Sequence, residues 1–222
     1  MAKKAIILNA SPRKNANTAS LLKEAQQGAK DAGAEVEYIN LGDLKYKGCI
    51  SCFACKRKGA TTNGLCAFND ELRPVLERIL QADVLILGTP IYYSYPTGMF
   101  RNFIERLFFP ILNYNRDEKT GGASKNIDKK LKTAIIYTMN VTKELFEQFN
   151  YPAILAPDSQ YLKLYFGHCE TYCAYNTYQF NDYTKYDASV IDMDSKEYFR
   201  QHQFPKDKQA AYDIGKRLVE TD

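Results

Sequence analysis

Short apolar runs alternate along the chain with longer stretches in which apolar residues recur every three or four positions. Residues 5–8 (AIIL) are rich in β-branched side chains, bounded by polar turn residues, and predict a strand buried on both faces. After a polar loop, Leu21, Leu22, Ala25, Ala29 and Ala32 fall at helical spacing, and Gly33 is placed to end that helix. Residues 35–41 (EVEYINL) alternate as a second strand. Asp70 or Asn69 is expected to cap a helix carrying Val75, Leu76, Ile79 and Leu80, with Pro74 tolerated near its start. Residues 84–87 (VLIL) predict a third strand, and Met99, Phe100, Phe103, Ile104, Leu107 and Phe108 the apolar face of the next helix.

The polar stretch 113–130 is too long for an ordinary connector and predicts a lid, an interface or a disordered segment. Residues 133–138 (TAIIYT) form a fourth buried strand; 142–165 read as largely helical, interrupted near Pro152 and Pro157. A fifth strand over 171–180 and a closing helix over 208–219 complete the pattern. Repeated β-α units with continuous apolar strands imply a parallel sheet covered on both faces, the doubly wound α/β class. The chain reads as one domain over 1–222, with a cysteine-rich loop at 45–68, a long insertion at 110–131 and a C-terminal extension at about 181–207.

Composition narrows the function classes. Hydrophobic content of 45% and charged content of 25% are ordinary globular values, which excludes wholesale disorder. No apolar run approaches the roughly 18 to 20 residues of a membrane helix, and the start of the chain lacks the apolar core of a secretory signal. The expectation is a cytoplasmic chain with no membrane partner. Its 30 Lys and Arg against 26 Asp and Glu leave a net +4, too little to indicate nucleic acid and compatible with a pocket for a small anion.

In sheets of this kind the ligand binds beyond the carboxyl ends of strands, where the strand order reverses. The loop after strand one (residues 9–18, NASPRKNANT) holds the cations Arg13 and Lys14, hydroxyls and amides directly before a helix N-terminus, where free N–H groups favour an anion. A polar turn with Asn17 or Thr18 as N-cap is the plain structural alternative. The loop has no GxxxxGK[ST], no GxGxxG, no cysteine and no acidic cluster, so a monophosphate held without metal is the ligand it fits. The loop after strand three (residues 88–98, GTPIYYSYPTG) brings tyrosines near the switch point. Backbone N–H groups there suit the polar edge of a flat heterocycle, although aromatics closing the sheet end would look the same. Residues 138–141 after strand four supply a third edge.

Taken in order, Ser11-Pro12-Arg13-Lys14-Asn15-Ala16-Asn17-Thr18, the cysteine-rich 48–66, Gly88-Thr89-Pro90-Ile91-Tyr92, Gly98 and Arg101-Asn102-Phe103 resemble the NAD(P)H-dependent FMN reductase family. The resemblance runs from residue 3 to about residue 140, and the segment Asn181-Asp182-Tyr183-Thr184-Lys185-Tyr186 is similar to one branch of these proteins. It implies a flavodoxin-like fold, a five-stranded parallel sheet of order 2-1-3-4-5 with helices on both faces, and noncovalent FMN. Carried over by position, Ser11, Arg13, Asn17, Thr18 and the Ala19 amide would hold the phosphate. Pro90, Ile91, Tyr92, Tyr93 and Ser94 would border the isoalloxazine, and Thr138, Met139, Asn140 and Val141 would close its other side. Met139-Asn140-Val141 departs from the glycine-rich turn the family often has there.

The implied activity passes hydride from NADH or NADPH to FMN and then electrons to a quinone, free flavin, ferric iron or electron-poor aromatic. The implied assembly is a homo-oligomer, dimer or tetramer. No side chain need act as acid or base, so no catalytic residue is assigned. The alternative is an iron-sulfur flavoprotein or another non-enzymatic electron-transfer or redox-sensing flavoprotein.

Cys49-x2-Cys52-x2-Cys55-x10-Cys66 bears on that alternative. Iron-sulfur flavoproteins resemble this chain and use a compact four-cysteine run in the same place. The first three cysteines have ligand spacing, and Lys56, Arg57 and Lys58 would offset thiolate charge. The gap before Cys66 is longer than that family's pattern, and a zinc site lacks a second close pair. A loop of free or redox-active thiols beside the flavin needs no metal, and the reading adopted has no metal site. His168 and His202 lie too far apart for a zinc or relay pair, and Cys169 and Cys173 read as core residues. The aromatic density of 161–186 reads as a C-terminal extension packed on the sheet or on a second subunit, and the charged run 125–132 as a solvated face.

Overall fold

Strand β1 (Lys4–Asn9) is buried along its length after Lys4 because it lies between two neighbours, β2 (Glu35–Asn40) and β3 (Val84–Tyr92). A computed structural model describes residues 2–60, 62–118 and 121–221; Thr61 of the cysteine-rich loop and Lys119 and Thr120 of the insertion lie outside them. Beyond β3 the sheet continues through β7 (Lys132–Thr138) to β8 (Glu170–Ala174), in the order β2-β1-β3-β7-β8. Every pair on this path is parallel: Ala5 stands opposite Val36 and Val84, Val84 opposite Lys132, and Ala134 opposite Glu170. The expected order of five parallel strands is therefore the one observed. A short β4 (Tyr95–Pro96) folds back antiparallel on the end of β3.

Side chains alternate across the strands and fill two layers. Ile6, Leu8, Leu85, Leu87, Ile135 and Tyr137 pack towards α2 (Arg73–Gln81), α3 (Gly98–Ile111) and α5 (Tyr151–Phe166). Ala5, Ile7, Val84, Ile86, Ala134 and Ile136 pack towards α1 (Asn17–Asp31) and α7 (Phe204–Glu220). Those last two helices touch backbone to backbone: a Cβ built on Gly28 would lie 2.0 Å from the Tyr212 carbonyl oxygen, and one on Gly215 would lie 2.0 Å from that of Ala25. Gly33 ends α1 at φ +85°, a left-handed conformation that glycine adopts without strain.

Several local expectations are corrected. Neither Asp70 nor Asn69 is the N-cap of α2; Leu72 is, two residues on, and Asp70 both accepts from Leu72 N–H (3.2 Å) and is gripped by Arg106. The break in the fourth helical region falls between α4 (Lys143–Gln148) and α5, where Asn150 turns left-handed, and not at Pro157. Pro152 sits in the first turn, where its missing N–H is harmless. Pro157 costs an interior helix about 3 kcal/mol. Burial of Leu155, Leu162, Tyr165 and Phe166 by the same helix, at about 1.5–3 kcal/mol each, outweighs it.

The fifth strand stops at Ala174, short of 180, because Asn176 adopts φ +49° and the chain crosses the end of β7. The closing helix starts at Phe204, earlier than 208, following α6 (Met193–Tyr198) and a wider π turn over Phe199–Gln203. The insertion carries a hairpin of β5 (Leu112–Arg116) and β6 (Ala123–Lys125) that continues directly from α3.

Candidate functional site

The strand order reverses between β1 and β3, and the loops leaving β1, β3 and β7 at their carboxyl ends meet there. A backbone bond from Ala10 N–H to Gly88 O (2.8 Å) and one from the Thr97 hydroxyl to Ala10 O (2.8 Å) fasten the first two loops together. Between the three loops lies a cleft of ≈ 550 Å³.

The loop after β1 is held from within. Asn9 accepts from Ser11 N–H (3.0 Å), and the Ser11 hydroxyl accepts from Arg13 N–H (3.2 Å). Helix α1 then begins at Asn17 behind Ala16, whose side chain offers no cap. No acidic residue occupies its first turn, so the leading N–H groups keep their positive end for a ligand. Asn17, Thr18 and Ala19 are buried at this end. The hydroxyls of Thr18 and Thr138 bond at 2.8 Å, tying α1 to the end of β7. Lys14 does not line the cleft; it pairs outward with Asp43, which holds that carboxyl below its usual range.

The loop after β3 is a hairpin rather than an irregular turn. Tyr93 and Ser94 both take positive φ, 47° and 72°, where asparagine and glycine are the usual residues. A tyrosine held left-handed is a backbone strain of the kind found at ligand sites. The turn leaves the Tyr93 side chain wholly exposed at the mouth of the cleft.

Met139 donates its N–H to Ala174 O (3.0 Å) and accepts from the N–H of Thr177 (2.9 Å). This brings the segment after β8 across the cleft. There the Arg13 guanidinium donates to Gln179 O (2.5 Å) and the Asn17 amide to Tyr178 O (2.6 Å).

Of the residues expected at the site, Arg13, Asn17, Thr18, Pro90, Ile91, Tyr92, Tyr93, Thr138, Met139, Asn140 and Val141 all line this one cleft. Ser11, Ala19 and Ser94 do not line it; Ser11 is buried beneath the loop and Ala19 is fully enclosed. Tyr151, Thr177, Tyr178 and Gln179 line it as well and were not anticipated. The aromatic density after Tyr161 was the available signal, but a strand carried on to 180 directs those residues away from the cleft.

The cysteine-rich loop is elsewhere. Cys49, Cys52, Cys55 and Cys66 line a small pocket with Glu105, Arg106 and Phe109, and it shares no lining residue with the cleft. The thiols thus have a pocket of their own against the middle of α3. Of the four thiols, Cys66 is held by a charged neighbour. The buried Arg106 donates from Nε to Cys66 Sγ (2.9 Å), to Asp70 through both Nη atoms (2.8 and 3.0 Å), and to the carbonyls of Lys47 and Phe68 (3.0 Å each). The Lys56 ammonium bonds to the carbonyls of Phe109 and Leu112, and burial pushes the Cys55 thiol up. Among the described residues no three of His, Cys, Asp and Glu are grouped to hold a metal ion. This arrangement gives no support to a cluster.

A parallel sheet of this order, a cleft at its switch point and an open helix N-terminus facing that cleft define a flavodoxin-like α/β protein. The chain belongs to the NADPH-dependent FMN reductase family, whose profile matches residues 3–125. It is 37% identical over 103 residues to an iron-sulfur flavoprotein of Archaeoglobus fulgidus, covering 46% of this chain and 48% of that one. It is 31% identical over 120 residues to an iron-sulfur flavoprotein of Methanocaldococcus jannaschii, covering 54% and 60%. The chain thus spans about half the length of the curated relatives it matches. Among solved structures it resembles an NAD(P)H:quinone oxidoreductase from Methanothermobacter marburgensis (TM-score 0.70, 16% identity, all of both chains). It also resembles an azoreductase from Bacillus anthracis (TM-score 0.64, 16% identity, 98% of this chain and 100% of that one). At these identities the two structures speak to the fold. No helix of the described residues is long and apolar enough to cross a membrane.

Proposed function

We propose that the chain is an FMN-dependent NAD(P)H oxidoreductase that passes electrons to a small acceptor such as a quinone, free flavin, ferric iron or an electron-poor aromatic. The observation that carries this reading is the uncapped N-terminus of α1, with buried Asn17 and Thr18, opening into the same ≈ 550 Å³ cleft as Tyr92 and the 138–141 loop. One end of the cleft suits a phosphate and the other a flat ring, and the volume lies within the roughly 300–1,000 Å³ of small-molecule sites.

When bound, FMN supplies hydride acceptance and onward electron transfer. In the proposed complex the chain binds and orients. Arg13, the Asn17 and Thr18 side chains and the first N–H groups of α1 hold the phosphate, with Ser11 bracing the loop from beneath. Pro90, Ile91 and Tyr92 border the ring on one side, while Thr138, Met139, Asn140 and Val141 close the other and exclude water. The nicotinamide and then the acceptor reach the cleft past Tyr93. No side chain is assigned a proton to move.

The same reading takes the protein to be cytoplasmic, which its six free cysteines support. It also takes the protein to be a homo-oligomer, since exposed Tyr92, Tyr93 and Tyr95 crowd the mouth of the cleft. Titration of the purified protein with FMN, followed by oxidation of NADH and NADPH with each acceptor class, tests the activity; light scattering tests the assembly. FMN binding without nicotinamide oxidation would leave an electron carrier in place of an enzyme.

A further inference from the structure

Lys196 lies on α6, within the C-terminal extension and outside the stretch that the family profile matches. It is 3% exposed, and no carboxylate of the described residues forms an ion pair with it. Its ammonium donates to Asn140 O (2.8 Å), to Asn140 Oδ1 (2.5 Å) and to Thr177 O (3.2 Å). Three acceptors satisfy its three N–H groups and leave its charge uncompensated. Burial accordingly lowers its pKa to about 8.

Both residues it holds line the cleft. An ammonium only donates, so it selects the oxygen of the Asn140 side chain and fixes the orientation of that amide. The Nδ2 donors of Asn140 are what remain for the cleft. One further contact fastens α6 to the same wall, Asn176 Nδ2 donating to Ser195 Oγ (2.9 Å), and within that wall the Thr177 hydroxyl donates to Met139 O (3.1 Å). A buried cation behind a fixed donor is an arrangement that gains most when the ligand acquires negative charge.

We propose that Lys196 is a positioning residue of the cleft, holding Asn140 as a hydrogen-bond donor and setting a buried positive charge behind the 138–141 loop, so that the site prefers reduced, anionic flavin to oxidised flavin. This rests on the FMN reading given above.

The test begins with FMN titration of the wild-type protein and then compares the midpoint potential of bound FMN in wild type, Lys196→Met and Lys196→Arg. Loss of the charge in Lys196→Met weakens reduced FMN at least tenfold relative to oxidised FMN, which for a two-electron couple is a potential about 30 mV more negative. Lys196→Arg, which keeps the charge, recovers part of that shift. An unchanged potential in Lys196→Met overturns the proposal, since a purely structural lysine would alter stability and leave the potential alone. Should Lys196→Met fail to fold, Lys196→Gln removes the charge with a side chain that can still donate to the same carbonyls, and an unchanged potential there overturns the proposal equally. Wild-type protein that binds no FMN overturns the flavin reading itself, and the role given to Lys196 with it.

Discussion

Thr18 and Thr138 share a hydrogen bond of 2.8 Å between their buried hydroxyls, joining the first turn of α1 to the last residue of β7 across 120 positions of sequence. The bond sets the open end of the helix against the loop that forms the far wall of the cleft. Replacing Arg13 and Thr18 together by alanine removes a cation and this tether from one end of the cleft. FMN binding is expected to weaken more than tenfold, about 1.4 kcal/mol, by fluorescence titration. Unaltered affinity in the double variant would place the phosphate elsewhere.

Arg106 is 1% exposed and gives bonds to Asp70, Cys66 and two carbonyls at once. Arg106→Met strands the Asp70 carboxylate, which is largely buried, and is expected to cost about 3–5 kcal/mol in urea unfolding. Arg106→Lys restores the charge without the planar fork and recovers little of the loss. A loss under about 1 kcal/mol, the usual value of an exposed pair, would mean that the network is not structural.

The contact of α1 with α7 leaves no room for a methyl group at Gly215. Alanine raises intrinsic helix propensity by about 1 kcal/mol over glycine, which by itself predicts a more stable protein. Collision with the Ala25 carbonyl opposes it, and backbone cannot give way as a flexible side chain can. Gly215→Ala is expected to lower Tm by several degrees. A rise in Tm would show that the two helices can separate freely.

Asp158, on α5, is 7% exposed. Burial pushes its carboxyl up from 3.8 to about 6, against weaker opposing pulls from Arg101 and the Tyr137 hydroxyl. Through that window the folded chain keeps a proton that the unfolded chain has released. Stability therefore falls as pH rises through it, and the penalty is complete above pH 6. Asp158→Asn should stabilise the protein by about 1–3 kcal/mol at neutral pH and flatten this part of the stability profile. Thermal unfolding across pH 4 to 8 reads both effects. Equal stability of the two proteins at neutral pH would sink the argument.

Where the sequence was legible, burial and periodicity pointed the same way. The central strands are apolar through their middles because neighbours cover both edges and helices cover both faces, so 5–8, 84–87 and 133–138 announced themselves. The β1 loop was legible as a polar turn before a helix, but Asn17 or Thr18 was an equally good cap on paper, and only the structure places Ala16 there without a side-chain cap. Tertiary competition hid the rest. Asp70 has the chemistry of a helix cap and does accept from Leu72 N–H, but it is shared with Arg106, 36 residues away, and the helix begins beyond it. Tyr178 and Gln179 continue an apparently strand-like pattern, and the left-handed turn at Asn176 swings them over the cleft. Lys196 carried no signal, because a lysine between acidic residues looks like any solvated helix position until its burial is known.

The close contact of α1 and α7 also imposes an order of events on a newly made chain. Residues 17–31 leave the ribosome well before their cover at Ile214 and Gly215 has been made. At roughly 5–20 residues per second that interval is on the order of 10–40 s. Leu21, Leu22, Ala25 and Ala29 must wait through it with half their packing missing. The loop that this helix aims into the cleft cannot settle earlier, so one wall of the cleft is completed only after residue 215 has joined the chain.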